Sequence, residues 1–118
     1  MANVVLIEDD ERTRKSLCRF LERRGHEVVD FADAGPALQS ADLAKADVIV
    51  TDLMMPTPAE WLIRQIHGSV PVIVMSGVMT LEEWSLVGEV DVKTFLRKPF
   101  ALQKLADAVD RCIAEAGD

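Results

Sequence analysis

The chain alternates between two hydrophobic periods. Residues 4–7 (VVLI) are continuously apolar and mostly β-branched, as in a strand buried on both faces. Over 10–24 the inward positions shift to helical spacing, at Thr13, Leu17, Phe20 and Leu21, and Gly25 stops that run. Residues 26–31 predict a second, more polar strand. Residues 33–43 predict a short helix with Pro36 tolerated in its first turn, and 47–51 a third, apolar strand. The segment 57–60 (TPAE) sets threonine at a helix cap, proline at the first helical position and glutamate three after the cap, so a helix is predicted from there to about 67. A fourth strand follows at 70–75. The segment 80–83 (TLEE) repeats the cap spacing and opens a helix ending near Gly88. Residues 93–97 predict a fifth strand. The last helix, 100–116, carries Leu102, Leu105, Val109, Cys112 and Ile113 on one face.

Five strand–helix units in succession imply a parallel sheet with helices on both faces, joined by right-handed crossovers. No linker, repeat or low-complexity stretch interrupts the order, and 118 residues fit one domain around one core. The last few residues, 115–118, are expected to fray.

Charge narrows the function. With 13 Lys and Arg against 20 Asp and Glu, the net charge is −7, which argues against binding a phosphate backbone or an anionic membrane surface. No apolar run approaches the ~20 residues of a membrane span, and the N-terminus has no signal-like pattern. The two cysteines, Cys18 and Cys112, are far apart and lack CxxC spacing. A cytoplasmic protein with reduced thiols is expected, both cysteines serving as small apolar fillers.

Open parallel sheets bind ligands beyond the carboxyl ends of their strands. There the first strand delivers Glu8, Asp9 and Asp10, the third Asp52, the fourth Ser76 and the fifth Lys98. Each alone is ordinary: acids cap helices, serines make turns, and Asp9 or Asp10 could cap the first helix. Gathered at one edge they are a site. Clustered carboxylates repel unless a cation intervenes, and an all-oxygen set suits a hard divalent ion such as Mg²⁺. With no Cys or His at this edge, zinc is not expected. Lys98 adds a positive charge, so the edge is built to receive an anion, phosphoryl above all. A carboxylate there can attack phosphorus, with cations neutralising the transferring oxygens and Ser76 donating a hydrogen bond to one of them.

At this point the chain resembles the receiver domain of bacterial two-component response regulators, the CheY-like family, over essentially all of its length. The residues that carry the resemblance are VVLIEDD, VIVTDLMMP, PVIVMSG and FLRKPF, in the family's order and at family-like separations. The resemblance implies a doubly wound (βα)5 flavodoxin-like three-layer fold with a parallel sheet of order 2-1-3-4-5. It implies Asp52 as phosphoacceptor, with Glu8, Asp9, Asp52 and the backbone carbonyl of Met54 holding Mg²⁺ or Mn²⁺. Ser76 matches the switch hydroxyl, Lys98 the phosphate-binding lysine and Phe95 the switch aromatic; Asp10 is a weaker candidate. The Lys98–Pro99 bond matches one usually cis. Implied partners are a histidine kinase or phosphotransfer protein and a downstream protein target or effector domain. Direct nucleic-acid or membrane binding is not implied, and the protein would be a monomer or a phosphorylation-dependent dimer. Such a domain catalyses only its own phosphorylation and dephosphorylation.

The chain departs from the family at 57–60, where a glycine-containing loop is replaced by TPAE, and at 90–92, where Val-Asp-Val replaces Gly-Ala-Asp. The second departure touches the face where family partners commonly dock, made by the helix opening at Thr80, the fifth strand and the last helix. Trp61 is expected partly buried; Trp84 is either a core edge or a partner anchor. His26 and His67 read as surface or strand-edge residues. Two other classes compete: a receiver-like module that binds without phosphorylation, and a metal-dependent phosphatase. The phosphatase lacks a second acid two residues after Asp52, where Met54 stands. A flavin domain is disfavoured because no Ser/Thr/Gly-rich loop follows the first strand. Both a stand-alone receiver and one cut from a longer protein are compatible with the sequence.

Overall fold

Strands buried on both faces must be apolar on both, and the three most apolar runs of the chain take the centre of the sheet. A computed structural model describes residues 2–53, 70–77 and 92–116. Its strands are β1 (Asn3–Ile7), β2 (Glu27–Phe31), β3 (Val48–Asp52), β4 (Val72–Ser76) and β5 (Val92–Arg97). Its helices are α1 (Glu11–Arg23), α2 (Ala34–Leu38), α3 (Asp42–Lys45) and α4 (Leu102–Ala116). All strand pairs are parallel and the order is β2-β1-β3-β4-β5, as the family resemblance implies. Every residue of β3 and β4 is buried, whereas β2, an edge strand, is largely exposed. The helices expected over 57–67 and 80–88, with Met54, Trp61, His67 and Trp84, lie outside the described residues.

Period-two alternation sorts the strand side chains into two cores. On one face Val4, Leu6, Val48, Val50, Ile73, Met75 and Leu96 pack with Leu17 and Leu21 of α1 and with Leu105, Val109 and Cys112 of α4. On the other, Val5, Ile7, Ile49, Val72 and Val74 pack with Ala34 and Ala37 of α2 and Leu43 of α3. The helices thus cover both faces, as doubly wound sheets require.

Local chemistry sets the helix ends. Asp10 is the N-cap of α1; its carboxylate accepts from the Thr13 backbone N–H at 2.9 Å and the Thr13 hydroxyl at 2.5 Å. At the other end Gly25 takes a φ of 93°, which disfavours any side chain. The single helix expected over 33–43 is instead two. Asp33 caps α2 through the Gly35 N–H. After it, the Ser40 hydroxyl donates to Asp42 and accepts from the Asp42 backbone N–H, at 3.0 and 3.1 Å. Such local bonds compete with helix continuation. Leu38 and Leu43 are five residues apart, out of phase on one helix, and the break lets both reach the same core.

Neither cysteine is in a disulfide; Cys112 is buried and Cys18 half-buried, and burial pushes the Cys18 thiol up to about 11. Protonated at neutral pH, it acts as packing rather than as a nucleophile.

His26 corrects the sequence reading: it lies in the α1–β2 turn and is buried, at 8% exposure. Neither ring nitrogen has a hydrogen-bond partner among the described residues. Burial holds its pKa below the usual imidazole value, so the unfolded chain takes up a proton the native state resists. Its stabilising contribution is present above pH ~6.5 and is lost as pH falls below it. His26→Leu, which removes two unpaired polar atoms, is expected to raise stability by about 1 kcal/mol at pH 7. The gain should widen as pH drops to 5; urea unfolding at the two pH values measures both.

Candidate functional site

The register brings the chemistry-bearing residues together. Ile7 pairs with Thr51, Asp52 with Met75, and Ser76 with Arg97. Glu8, Asp52, Ser76 and Lys98 therefore each stand within one residue of a single row across the carboxyl edge. Alternation aims Glu8 and Asp52, like Leu6 and Val50 before them, toward the α1–α4 side. Ser76 follows Val72 and Val74 toward the opposite side, where Phe95 is half-buried against the second core. A register irregularity between Val72 and Ile73 leaves Lys93 without a pairing partner on β4, and Thr94 onward resumes the ladder. A one-residue slip reverses which face each later residue occupies.

Three carboxylates converge. One oxygen each from Glu8, Asp9 and Asp52 lies within 4.8 Å of the others, Glu8 and Asp52 buried and Asp9 exposed. The ammonium of Lys98 bridges the buried pair, donating to Asp52 Oδ2 at 2.5 Å and to Glu8 Oε1. Lys98 is held in turn by its backbone, whose N–H donates to the Ser76 carbonyl at 2.8 Å, and it precedes a cis peptide to Pro99. An open groove of about 500 Å³, lined by Arg12, Ser16, Leu17, Lys98, Phe100 and Leu102, reaches the lysine from the α1–α4 side.

The electrostatics follow from burial. Desolvation pushes the Glu8 carboxyl up to about 7; the Lys98 hydrogen bond opposes this and the Asp52 charge adds to it. Burial works against the Lys98 charge too, but hydrogen bonds to Asp52 and Glu8 and their negative charge outweigh it and hold the ammonium above its ordinary range. Asp10 is drawn below the usual carboxylate value, chiefly by the Thr13 hydroxyl. That bond ties it to capping α1 rather than to the cluster.

The donor set is entirely oxygen, which fits a hard cation. Oxygens within 4.8 Å of one another are near enough for one such cation to be shared among them. Of the residues marked in the sequence, Glu8, Asp9, Asp52 and Lys98 meet in one cluster, Ser76 and Phe95 lie beside it on β4 and β5, and Met54 is outside the described residues. Pattern alone does not mark Arg14. Its guanidinium donates to the Glu8 backbone carbonyl at 3.0 Å and to Asp30 at 3.1 Å. The available signal is its place three residues before Leu17 on the inward stripe of α1.

The raised Glu8 pKa has a stability consequence in metal-free protein. A folded-state pKa above the unfolded one gives a contribution complete below about pH 4.5 and lost as pH rises through about 7. Glu8→Gln, which resembles the protonated acid, is expected to match wild type at pH 5 and to become the more stable of the two at pH 8. Paired urea titrations in chelator measure the difference and cancel the opposite trend from His26.

Comparison with known proteins agrees with this architecture. Residues 4–110 match the family model described as the response regulator receiver domain. The transcriptional regulatory protein PrrA of Mycobacterium tuberculosis is 30% identical over 118 residues, covering 97% of this chain and 51% of PrrA. The DNA-binding transcriptional regulator NtrC of a Bradyrhizobium species is 29% identical, over 96% of this chain and 24% of its own length. The chain thus spans about half or less of the curated relatives it matches. Among solved structures, the chemotaxis protein CheY4 of Vibrio cholerae superposes with a TM-score of 0.84 at 25% identity, over 95% of this chain and 98% of that one. A response regulator receiver domain protein from Clostridium thermocellum reaches 0.86 at 24% identity, over 99% and 98%, a likeness of fold. The chain belongs to the response regulator receiver domain family, the signalling phosphoacceptor domains of two-component systems.

Proposed function

We propose that residues 1–118 form one receiver domain that takes a phosphoryl group onto Asp52 and thereby switches a protein-binding surface. The observation that carries this reading is the Lys98 ammonium bridging Asp52 and Glu8, with Asp9 alongside, at the carboxyl edge of the sheet. A buried carboxylate beside a fixed cation at a groove mouth is equipped to meet a phosphoryl donor.

The donor is a phosphohistidine on a histidine kinase or phosphotransfer protein. One oxygen of Asp52 attacks phosphorus and an O–P bond forms. The donor's P–N bond breaks and its electron pair leaves on the imidazole nitrogen. Lys98 moves its hydrogen bond from the Asp52 carboxylate to an oxygen of the transferred group, neutralising charge as it develops. Glu8, Asp9 and Asp52, with the Met54 carbonyl, would hold Mg²⁺ or Mn²⁺. When bound, that cation supplies further charge neutralisation at the phosphoryl oxygens.

The switch follows from the two sides of the sheet. Ser76 ends the strand next to Asp52, and Phe95 lies on the same sheet face as Ser76, one strand further out. A phosphoryl group on Asp52 draws the Ser76 hydroxyl toward it, and Phe95 moves into the space vacated. The outer surface of β5 and its neighbouring helices is thereby biased toward one of two arrangements. The output is contact with a protein target or an effector domain, in the cytoplasm.

Two measurements test this. With Mg²⁺ and acetyl phosphate, intact mass should show one added phosphoryl group on the native protein and none on Asp52→Asn. A native protein that stays unmodified while a working receiver is labelled defeats the proposal. Lys98→Met should slow the transfer by at least about tenfold. Yet Mg²⁺ should raise its melting temperature more than that of wild type, because the ion then compensates two buried carboxylates that have lost their ammonium.

A further inference from the structure

The inward stripe of α1 contains one residue that packing alone does not explain. Leu17 and Leu21 on that stripe are buried apolar side chains. Arg14 stands three residues before Leu17, where the same spacing calls for another apolar group, and its side chain is only 16% exposed. The other basic residues of this helix, Arg12, Lys15, Arg19 and Arg23, are exposed. Burying a guanidinium is costly unless its donors are used, and this one uses them in two directions. Nε donates to Asp30 Oδ2 on β2 at 3.1 Å, and Nη1 donates to the backbone carbonyl of Glu8 at 3.0 Å.

That carbonyl belongs to the peptide joining Glu8 to Asp9, just beyond the end of β1. On the other side of Glu8, its own N–H donates to the Phe31 carbonyl at 3.0 Å. Glu8 is therefore fixed through both backbone polar groups, by β2 and by Arg14. The plane of the Glu8–Asp9 peptide determines how the two carboxylates are directed relative to each other. Asp9 itself is exposed. Asp30, about two-fifths exposed, steadies the guanidinium from the side away from the cluster.

We infer that Arg14 is a positioning residue of the acidic site: through the Glu8 carbonyl it orients the Glu8–Asp9 peptide so that both carboxylates address one divalent cation. This rests on the proposed cation site above. Arg14 does not touch the cation or the phosphoryl group, and its charge is spent on a backbone oxygen and on Asp30. Its effect is on geometry, so a lysine, which keeps the charge but lacks the two-armed donor, does not replace it.

The test measures Mg²⁺ affinity by calorimetric titration and, in metal-free protein, amide exchange at Asp9. Arg14→Lys and Arg14→Met should each weaken Mg²⁺ binding about tenfold, the scale typical of groups that orient a ligand without touching the metal. Both should speed Asp9 amide exchange. Asp30→Asn, which loosens the guanidinium but leaves it on Glu8, should weaken Mg²⁺ by a smaller factor than the Arg14 variants, and serves if those fold poorly. Leu21→Ala, a destabilised control on the same helix and away from the groove, should keep wild-type affinity. Wild-type Mg²⁺ affinity in the Arg14 variants, or in Asp30→Asn where it stands in for them, overturns the assignment. So does an equal loss in Leu21→Ala, which would mark the effect as general loosening. A wild-type protein that binds no Mg²⁺ overturns the proposed cation site and the assignment with it, and is told apart by the wild-type titration alone.

Discussion

The structure depends on one ammonium placed between two buried carboxylates. Glu8 and Asp52 are almost wholly shielded from water, and with Asp9 they bring three carboxylate oxygens within 4.8 Å of one another. Two full charges at that separation repel by roughly 3 kcal/mol at an effective dielectric near 20, a substantial fraction of a small domain's net stability. Lys98 offsets that repulsion by reaching both. Its answer is incomplete, because desolvation still leaves the Glu8 proton tightly held. The edge therefore keeps a residual negative potential around the Lys98 ammonium.

The rest of the fold serves that arrangement. A parallel sheet puts the ends of all its strands on one edge, and register decides which end residues become neighbours. The two apolar layers hold the strands rigid, since β3 and β4 have no exposed residue from which they could be solvated. Backbone bonds then fix the residues just past the ladder. The Lys98 N–H is bound to Ser76, the Glu8 N–H to Phe31 and the Glu8 carbonyl to Arg14. Helix α1 contributes at both ends of this logic. Its Asp10 cap is kept out of the cluster by Thr13, and its Arg14 reaches back under the loop.

Much of this was legible in the chain, because strong hydrophobic periodicity survives any tertiary context. The five strands, the inward face of α1 with Leu17 and Leu21, and the acids and lysine at strand ends follow from spacing alone. The misreadings have specific causes. The helix over 33–43 broke because Ser40 and Asp42 bond each other's groups more readily than they extend a turn. His26 reads as a surface residue because its neighbours Arg24, Gly25 and Glu27 are charged or small, whereas its burial is a property of the packed fold. Asp10, one of the two caps the sequence offers for the first helix and the weaker site candidate, is the cap, held there by Thr13.

The sequence by itself determined which residue types would stand at the ends of the strands and that the sheet would be parallel. Period-two apolar runs and period-3.6 stripes are local properties, read directly from residue order. Only the tertiary structure decided the distances. That Lys98 reaches both Glu8 and Asp52, and that Arg14 turns inward to the Glu8 carbonyl, are contacts between groups up to 90 residues apart in the chain. They are set by strand register and by the pitch of α1 against the sheet. Those are quantities that sum over the whole packed core, and no local stretch of residues carries them.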